Sequence, residues 1–364
     1  MNEKEKLLLT LIEGNPFMSQ QELAEKSGMS RSAVAGYISN LIKEGRILGR
    51  AYVLPGKKGV MCIGGANIDR KLQLHDEFLP ETSNPAVSSQ ASGGVARNIA
   101  ENLGRIGLQS CLLTVVGDDT EGSWLLNQTR NFVDVSASVS LFKHTTGTYS
   151  AILNKQGEMM FALADMELNE SVDIGFIEKR WGTIASSEMV LLDTNFPADV
   201  LSYIIKRCQS EGIPLTVVPV SAPKVKKLPP SLEGVTWFIC NKGEAEAYLG
   251  MKIDKEGDYF KAAKMITQKG AERVVITRGD KGLVYYTVYT EASAILPPEV
   301  KVIDVTGAGD ALVAGIIYGY LKGSDTEGAC RIGITCSSLT LQSAHTVSPS
   351  LTKGKLQQYF SLYY

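Results

Sequence analysis

Several things are scarce or missing in this 364-residue chain, and each absence closes a route to function. Histidine is rare: His75, His144 and His345 fall in alternating or loop segments where surface or stacking roles fit better than catalysis. The six cysteines (Cys62, Cys111, Cys208, Cys240, Cys330, Cys336) are scattered, mostly in apolar contexts, with no CxxC spacing. That pattern predicts reduced, buried thiols rather than disulfides or metal ligands, as in a cytosolic protein. No signal peptide opens the chain and no apolar run reaches ~18 residues, so neither export nor a membrane span is expected, and the expected location is cytoplasmic. The formal net charge is only −2, which points to no polyanionic partner for the chain as a whole. A Walker A sequence is also lacking, which removes the P-loop route to ATP.

What is present divides into two parts. The length suits two domains, and the 44% hydrophobic and 21% charged fractions suit a globular protein. Residues 1–58 hold nine basic against six acidic residues, a net +3, leaving −5 for the remainder. Within them, Glu5–Ile12 has amphipathic helical spacing and stops at Gly14-Asn15-Pro16. Ser19-Gln20-Gln21-Glu22 is a capping box that opens a second helix, Gly28 supplies a turn, and Ser30 caps a third helix to about Glu44. A wing is expected at Arg46–Leu54. This is the plan of a winged helix-turn-helix, and DNA is the expected partner, met by Ser30, Arg31, Ser32 and Tyr37 in a groove and by Arg46 and Arg50 at phosphates. A three-helix packing module has the same sequence features. Pro55-Gly56-Lys57-Lys58-Gly59 reads as the linker.

From residue 59 to 364, apolar strands alternate with amphipathic helices. Strands are expected at Val60–Gly64, Cys111–Val116, Met189–Asp193, Pro214–Val218, Trp237–Cys240 and Arg273–Thr277, with helices at Val95–Ile106 and Ser123–Asn131 among those between. Such alternation predicts an α/β fold, a doubly wound parallel sheet whose ligands lie beyond the carboxyl ends of the strands. Residues 70–90 and 149–164 break the rhythm with polar and apolar residues in turn, as antiparallel strands do.

The stretch Val302-Ile303-Asp304-Val305-Thr306-Gly307-Ala308-Gly309-Asp310 carries the chemistry. A strand is expected to end at Asp304 and a helix to begin near Ala308, so the bare backbone of Gly307, Ala308 and Gly309 offers N–H groups and a helix dipole to an anion. Asp310 would face that anion. A carboxylate there repels phosphate, but it serves as a general base for an attacking hydroxyl. A tight strand-to-helix turn with a first-turn acid would also produce these residues.

This motif resembles the DTxGAGD signature of the ribokinase/PfkB family of sugar and nucleoside kinases. Ser92-Gly93-Gly94-Val95-Ala96-Arg97-Asn98 and Gly64-Gly65-Ala66-Asn67-Ile68-Asp69 resemble that family's other signatures, in family order. Within the family, Gly-Gly-Val-Ala-Arg-Asn is most similar to pseudouridine kinases; Val95 stands where ribokinase proper carries lysine. The resemblance implies a ribokinase-like fold with a small β-lid, formed near residues 70–90 and 149–164 and often shared in a homodimer. It implies a substrate, a nucleoside or sugar, held by Asn67, Asp69, Gly93, Gly94, Asn98 and Asn195. It places ATP at Asn241, Glu244, Thr277, Gly279 and Gly282, with Mg2+ organised indirectly by Glu244 and K+ near Asp304 and Thr306, with further oxygens from the loop near Ser343–Ser348. The reaction implied is ATP-dependent phosphorylation of the 5′-hydroxyl of a ribosyl compound, pseudouridine above others, with Asp310 as base and the amides of 307–309 stabilising charge. The rival is a regulator whose kinase domain has become a sugar or nucleoside sensor, which an intact Asp310 and Gly-Ala-Gly disfavour.

Overall fold

A computed structural model describes residues 2–16, 18–48, 59–290 and 292–364. Helices Glu3–Gly14, Gln20–Ser27 and Arg31–Lys43 form the N-terminal module. Their caps explain their limits: Asn2 and Ser19 each make a capping box, with Glu5 and Glu22, and Ser30 accepts a hydrogen bond from the Ala33 amide. Leu8, Ile12, Leu23, Val34, Ile38, Leu41 and Ile47 close a small core of their own, with the Tyr37 ring packed partly against it. Arg50 and most of the expected wing and linker lie outside the described residues.

The body is built on an eight-stranded sheet in the order Ser293–Ile295, Leu283–Thr287, Arg273–Thr277, Trp237–Asn241, Leu215–Val218, Met189–Asp193, Val60–Ile63, Ser110–Leu113. The last six of these run parallel, as predicted; Leu283–Thr287 runs antiparallel to both its neighbours, because the short turn at Gly279–Lys281 returns the chain as a hairpin with no crossover helix. Alternation along each strand feeds two cores. Met61, Ile63, Val190, Leu192, Leu215 and Val217 pack against helices Ala198–Glu211 and Glu256–Gln268, while Val60, Cys62, Met189, Leu191, Trp237 and Ile239 face helices Val95–Arg105 and Ala308–Leu321. Each of these buried side chains contributes roughly 1.5–3 kcal/mol of hydrophobic free energy.

Two expectations are corrected. The strand predicted over Cys111–Val116 breaks at Thr114, because Val115–Gly117 leaves the main sheet to pair with Val139–Leu141. No strand ends at Asp304: Val302, Ile303 and Val305 are exposed, and the segment runs as a loop in which the Ile303 N–H donates to the Leu341 carbonyl. The lid is a four-stranded sheet in the order Ala86–Gly93, Asn67–Leu74, Thr148–Leu153, Met159–Asp165.

The module docks on the body far from the strand carboxyl ends. Arg46 Nη2 donates to Glu211 at 2.5 Å, and Glu211 also accepts from Trp181 Nε1 at 3.0 Å and Arg207 Nε at 3.3 Å. Backbones approach so closely that a Cβ on Gly182 would stand 1.8 Å from the Glu44 carbonyl oxygen. The placement of Arg46 at DNA phosphates is thereby corrected: its guanidinium is mostly buried and paired within the chain. Among the described residues, no helix is long and apolar enough to cross a membrane.

Candidate active site

Five parallel strands end at one cleft: Ile63 leads into Gly64-Gly65, Met189–Asp193 ends in its carboxylate, Leu215–Val218 leads into Pro219-Val220, and two strands finish at Asn241 and Thr277. Helix Ala308–Leu321 points its N-terminus into the same space. Gly307 caps it at φ +79°, and a Cβ there would lie 1.8 Å from the Thr346 carbonyl oxygen, so only glycine makes this turn. First-turn amides have no intrahelical acceptor. That of Ala308 turns back to the Val305 carbonyl in a long 3.3 Å bond.

Asp310 sits in that first turn. Asn98, in the first turn of Val95–Arg105, donates its Nδ2 to Asp310 Oδ2 at 2.9 Å. Two motifs 212 residues apart thus meet directly. Desolvation pushes the Asp310 carboxyl up to about 7; the Asn98 bond opposes the rise and the nearby Asp193 and Asp69 carboxylates add to it. Arg97 fixes Asn98 from behind: Nη1 donates to Asn98 Oδ1 at 3.0 Å, while Nη2 is paired with Glu101 and Nε bonds Thr129. With its oxygen so occupied, Asn98 must present its amide protons to Asp310.

On the lid side, Asn67 Nδ2 donates to Asp69 Oδ1 at 2.6 Å, and burial raises the Asp69 carboxyl. Gly93 lies opposite Asn67 in the strand register, and Gly94 caps the Val95–Arg105 helix. Asn195 is buried; its Nδ2 donates to Asp193 at 2.8 Å and its Oδ1 accepts from Lys224 at 2.5 Å, which leaves one N–H and one lone pair of the amide. Asp193 is the residue that motif reading passed over. It is fully buried and accepts from the amides of Gly65, Ala96 and Asn195, tying together the two glycine motifs and the strand that carries it. A single carboxylate closing an otherwise apolar strand was the available signal.

At the other end of the cleft, Asn241 and Glu244 form a reciprocal capping box at 2.9 Å each way. Burial pushes Glu244 up to about 7, against those hydrogen bonds. A cavity of about 200 Å3 joins Asn241, Glu244 and Thr277 to Val95, Gly309 and Asp310. Gly279 and Gly282 shape the turn after Thr277, where the Arg278 N–H donates to the Gly282 carbonyl at 2.7 Å. Asp304 and Thr306 stay together: Asp304 Oδ1 accepts from the Thr306 amide at 2.8 Å and hydroxyl at 2.7 Å. In the module, the Ser30 hydroxyl is spent on its cap and on Ser32, while Arg31, Ser32, Gly36 and Ser39 are exposed along one helix.

Residues 57–353 match the pfkB family of carbohydrate kinases, and residues 1–47 match a winged helix-turn-helix DNA-binding family. The uncharacterized sugar kinase YeiI of Escherichia coli is 29% identical over 97% of this chain and 97% of its own length. The pseudouridine kinase of the same organism is 32% identical over 81% of this chain and 94% of its own. Among solved structures, a carbohydrate kinase from Agrobacterium tumefaciens superposes with a TM-score of 0.72 at 28% identity, covering 84% of this chain and 97% of that one. The chain belongs to the pfkB family of sugar and nucleoside kinases, with a winged helix-turn-helix segment at its N-terminus.

Proposed function

We propose that the protein transfers the γ-phosphoryl group of ATP to the 5′-hydroxyl of a ribosyl compound, with pseudouridine as the preferred acceptor. The observation that carries this reading is the Asn98–Asp310 bond at the N-terminus of a helix, with the carboxyl raised to about 7. A base near neutrality takes the hydroxyl proton as the oxygen attacks phosphorus and ADP leaves with the bridging oxygen. Helix-start amides of the 307–309 turn face the developing charge. Asn67 and Asp69, bonded to each other on the lid strand, suit a vicinal diol.

ATP is read into the end of the cleft lined by Asn241, Glu244 and Thr277. Glu244 fits a supporting role for Mg2+: a carboxyl held near 7 by burial gains from a neighbouring cation, and such an ion keeps water and phosphate as most of its ligands. Bound there, the metal would neutralise phosphate charge. Val95 lines the cavity beside Asp310 where ribokinase-type sequences place a lysine, and pseudouridine kinase is the name of a 32% identical relative; together these support the acceptor assigned. Arg31, Ser32 and Ser39 form the exposed face proposed to meet DNA, and the exposed Val87, Met159, Phe161 and Leu163 mark the lid as the proposed homodimer surface.

The test compares kcat/KM for pseudouridine, uridine and ribose with ATP under one set of conditions. Pseudouridine is expected to lead. A higher value for ribose or uridine would overturn the acceptor, and absence of turnover with all three would favour the sensor reading.

A further inference from the structure

Asn67, Asp69 and Lys71 occupy alternate positions of the lid strand Asn67–Leu74, so pleating sends all three side chains to one face. The Asn67–Asp69 bond shows that they share it. Lys71 has small register partners on both sides, Ser89 and Ala151, which leave its chain room to cross toward the body. Its ammonium meets Asp304 Oδ2 at 3.1 Å, joining residues 233 positions apart. Since Thr306 already fills Asp304 Oδ1 with two hydrogen bonds, both carboxylate oxygens are held by donors of the chain itself. Asp304 stands three residues before Gly307, the start of the anion-facing turn.

A potassium ion drawn to Asp304 would have to share the carboxylate with an ammonium of equal charge 3.1 Å from Oδ2, while Oδ1 already accepts two hydrogen bonds from Thr306. A second cation on one carboxylate is disfavoured. We infer that Lys71 delivers from the lid the single positive charge that this turn requires, making potassium dispensable and coupling the lid to phosphoryl transfer. This rests on the kinase reading above. An ion must be captured from solution, whereas the Lys71 charge arrives with the strand that also carries Asn67 and Asp69. Of the three ammonium donors, one is held by Asp304, which leaves two for phosphate oxygens or water.

The experiment uses the full chain and its Lys71→Met and Lys71→Arg variants, assayed with ATP and pseudouridine in potassium chloride or in choline chloride at equal ionic strength. Thermal melting in the two salts is recorded beside the kinetics. Wild-type kcat is expected to agree within about twofold between salts, with no difference in melting. Lys71→Met is expected to lose about tenfold or more in kcat with a smaller change in nucleoside KM, to regain part of it in potassium chloride, and Lys71→Arg to retain most of it. A wild type that loses about tenfold in choline chloride, or that melts higher in potassium chloride, overturns the inference. So does a Lys71→Met variant with native kcat. Absence of turnover by the wild type in both salts would count against the kinase reading itself, and the melting comparison would still decide whether potassium binds.

Discussion

Asp310 in the cleft and Glu211 at the joint between module and body are both carboxylates set close to arginines, yet their surroundings drive them in opposite directions. Asp310 receives one neutral amide donor, from Asn98, and has two further carboxylates nearby; desolvation lifts it to about 7. Glu211 is also desolvated, but bonds from Arg46, Trp181 and Arg207 outweigh that cost and hold it below the usual carboxylate range. The difference lies in where the guanidinium is spent. Arg97 is consumed by Glu101 and by the oxygen of Asn98, and reaches Asp310 only through space, whereas Arg46 is bonded to Glu211 directly. A carboxylate left short of positive partners can accept a proton in a reaction; one fully paired can only hold two surfaces together.

Neutralising each carboxylate breaks this contrast, and the cleft yields the larger effect. Asp310→Asn is expected to lower kcat by roughly 10²–10⁴, with ATP and nucleoside binding changed only a few-fold, as steady-state kinetics and binding titrations would show. It is also expected to melt higher than wild type at alkaline pH. A raised folded pKa means that stability is fully present below the unfolded value near ~3.9 and is lost as pH rises through about 7, so the variant escapes a cost that the wild type bears. Near-native turnover in this variant would remove Asp310 from the chemistry.

At the joint, Glu211→Ala leaves Arg46 and Arg207 facing each other without the acid, a change expected to cost roughly 3 kcal/mol in denaturant unfolding. Because Glu211 lies at the end of a helix remote from the cleft, kcat should stay within about twofold of wild type. The sign of its pH dependence is opposite to that of Asp310. With a depressed folded pKa, the contribution is present above the unfolded value and is lost as pH falls through the folded one, so the joint loosens in acid. The cleft shows its own pH response in rate: kcat/KM should fall roughly tenfold per pH unit below about 7 as Asp310 protonates, and the limb should vanish from the residual activity of Asp310→Asn.

Local signals in the sequence were sufficient where the physics is local. Two helices of the module begin at the caps read from the sequence, Ser19 and Ser30, because capping is decided within four residues, while the first begins at Asn2, ahead of the expected Glu5; the parallel strands of the body follow from unbroken apolar runs. The GAGD turn and Asn98 were legible as motifs. What escaped was set by residues distant in the chain. Asp193 organises the cleft through amides that lie 97 and 128 positions away, and Asn195 is tied to Lys224 across 29 positions. The apolar residues Val302, Ile303 and Val305 suggest a strand, but they are exposed and join no strand of the sheet, so the segment stays a loop. Arg46 looked like a free basic residue of a wing, and only the fold reveals Glu211 beside it.

That last difference sets up the smallest expected effect. Arg31 and Arg46 belong to the same basic module, but Arg31 begins an exposed helix face while Arg46 is tied down at the joint. If DNA is met by the exposed face, Arg31→Ala should weaken binding and, where the contact is to phosphate, lower the slope of log affinity against log salt by about one. Arg46→Ala should leave that slope unchanged and instead loosen the joint, because a guanidinium already paired with Glu211 has no counterion to release from a phosphate. Salt titrations of both variants on the same DNA fragments separate the two roles. Equal loss of slope in both would show that the joint opens on DNA and frees Arg46 for phosphate, which requires DNA to favour an undocked arrangement of the module.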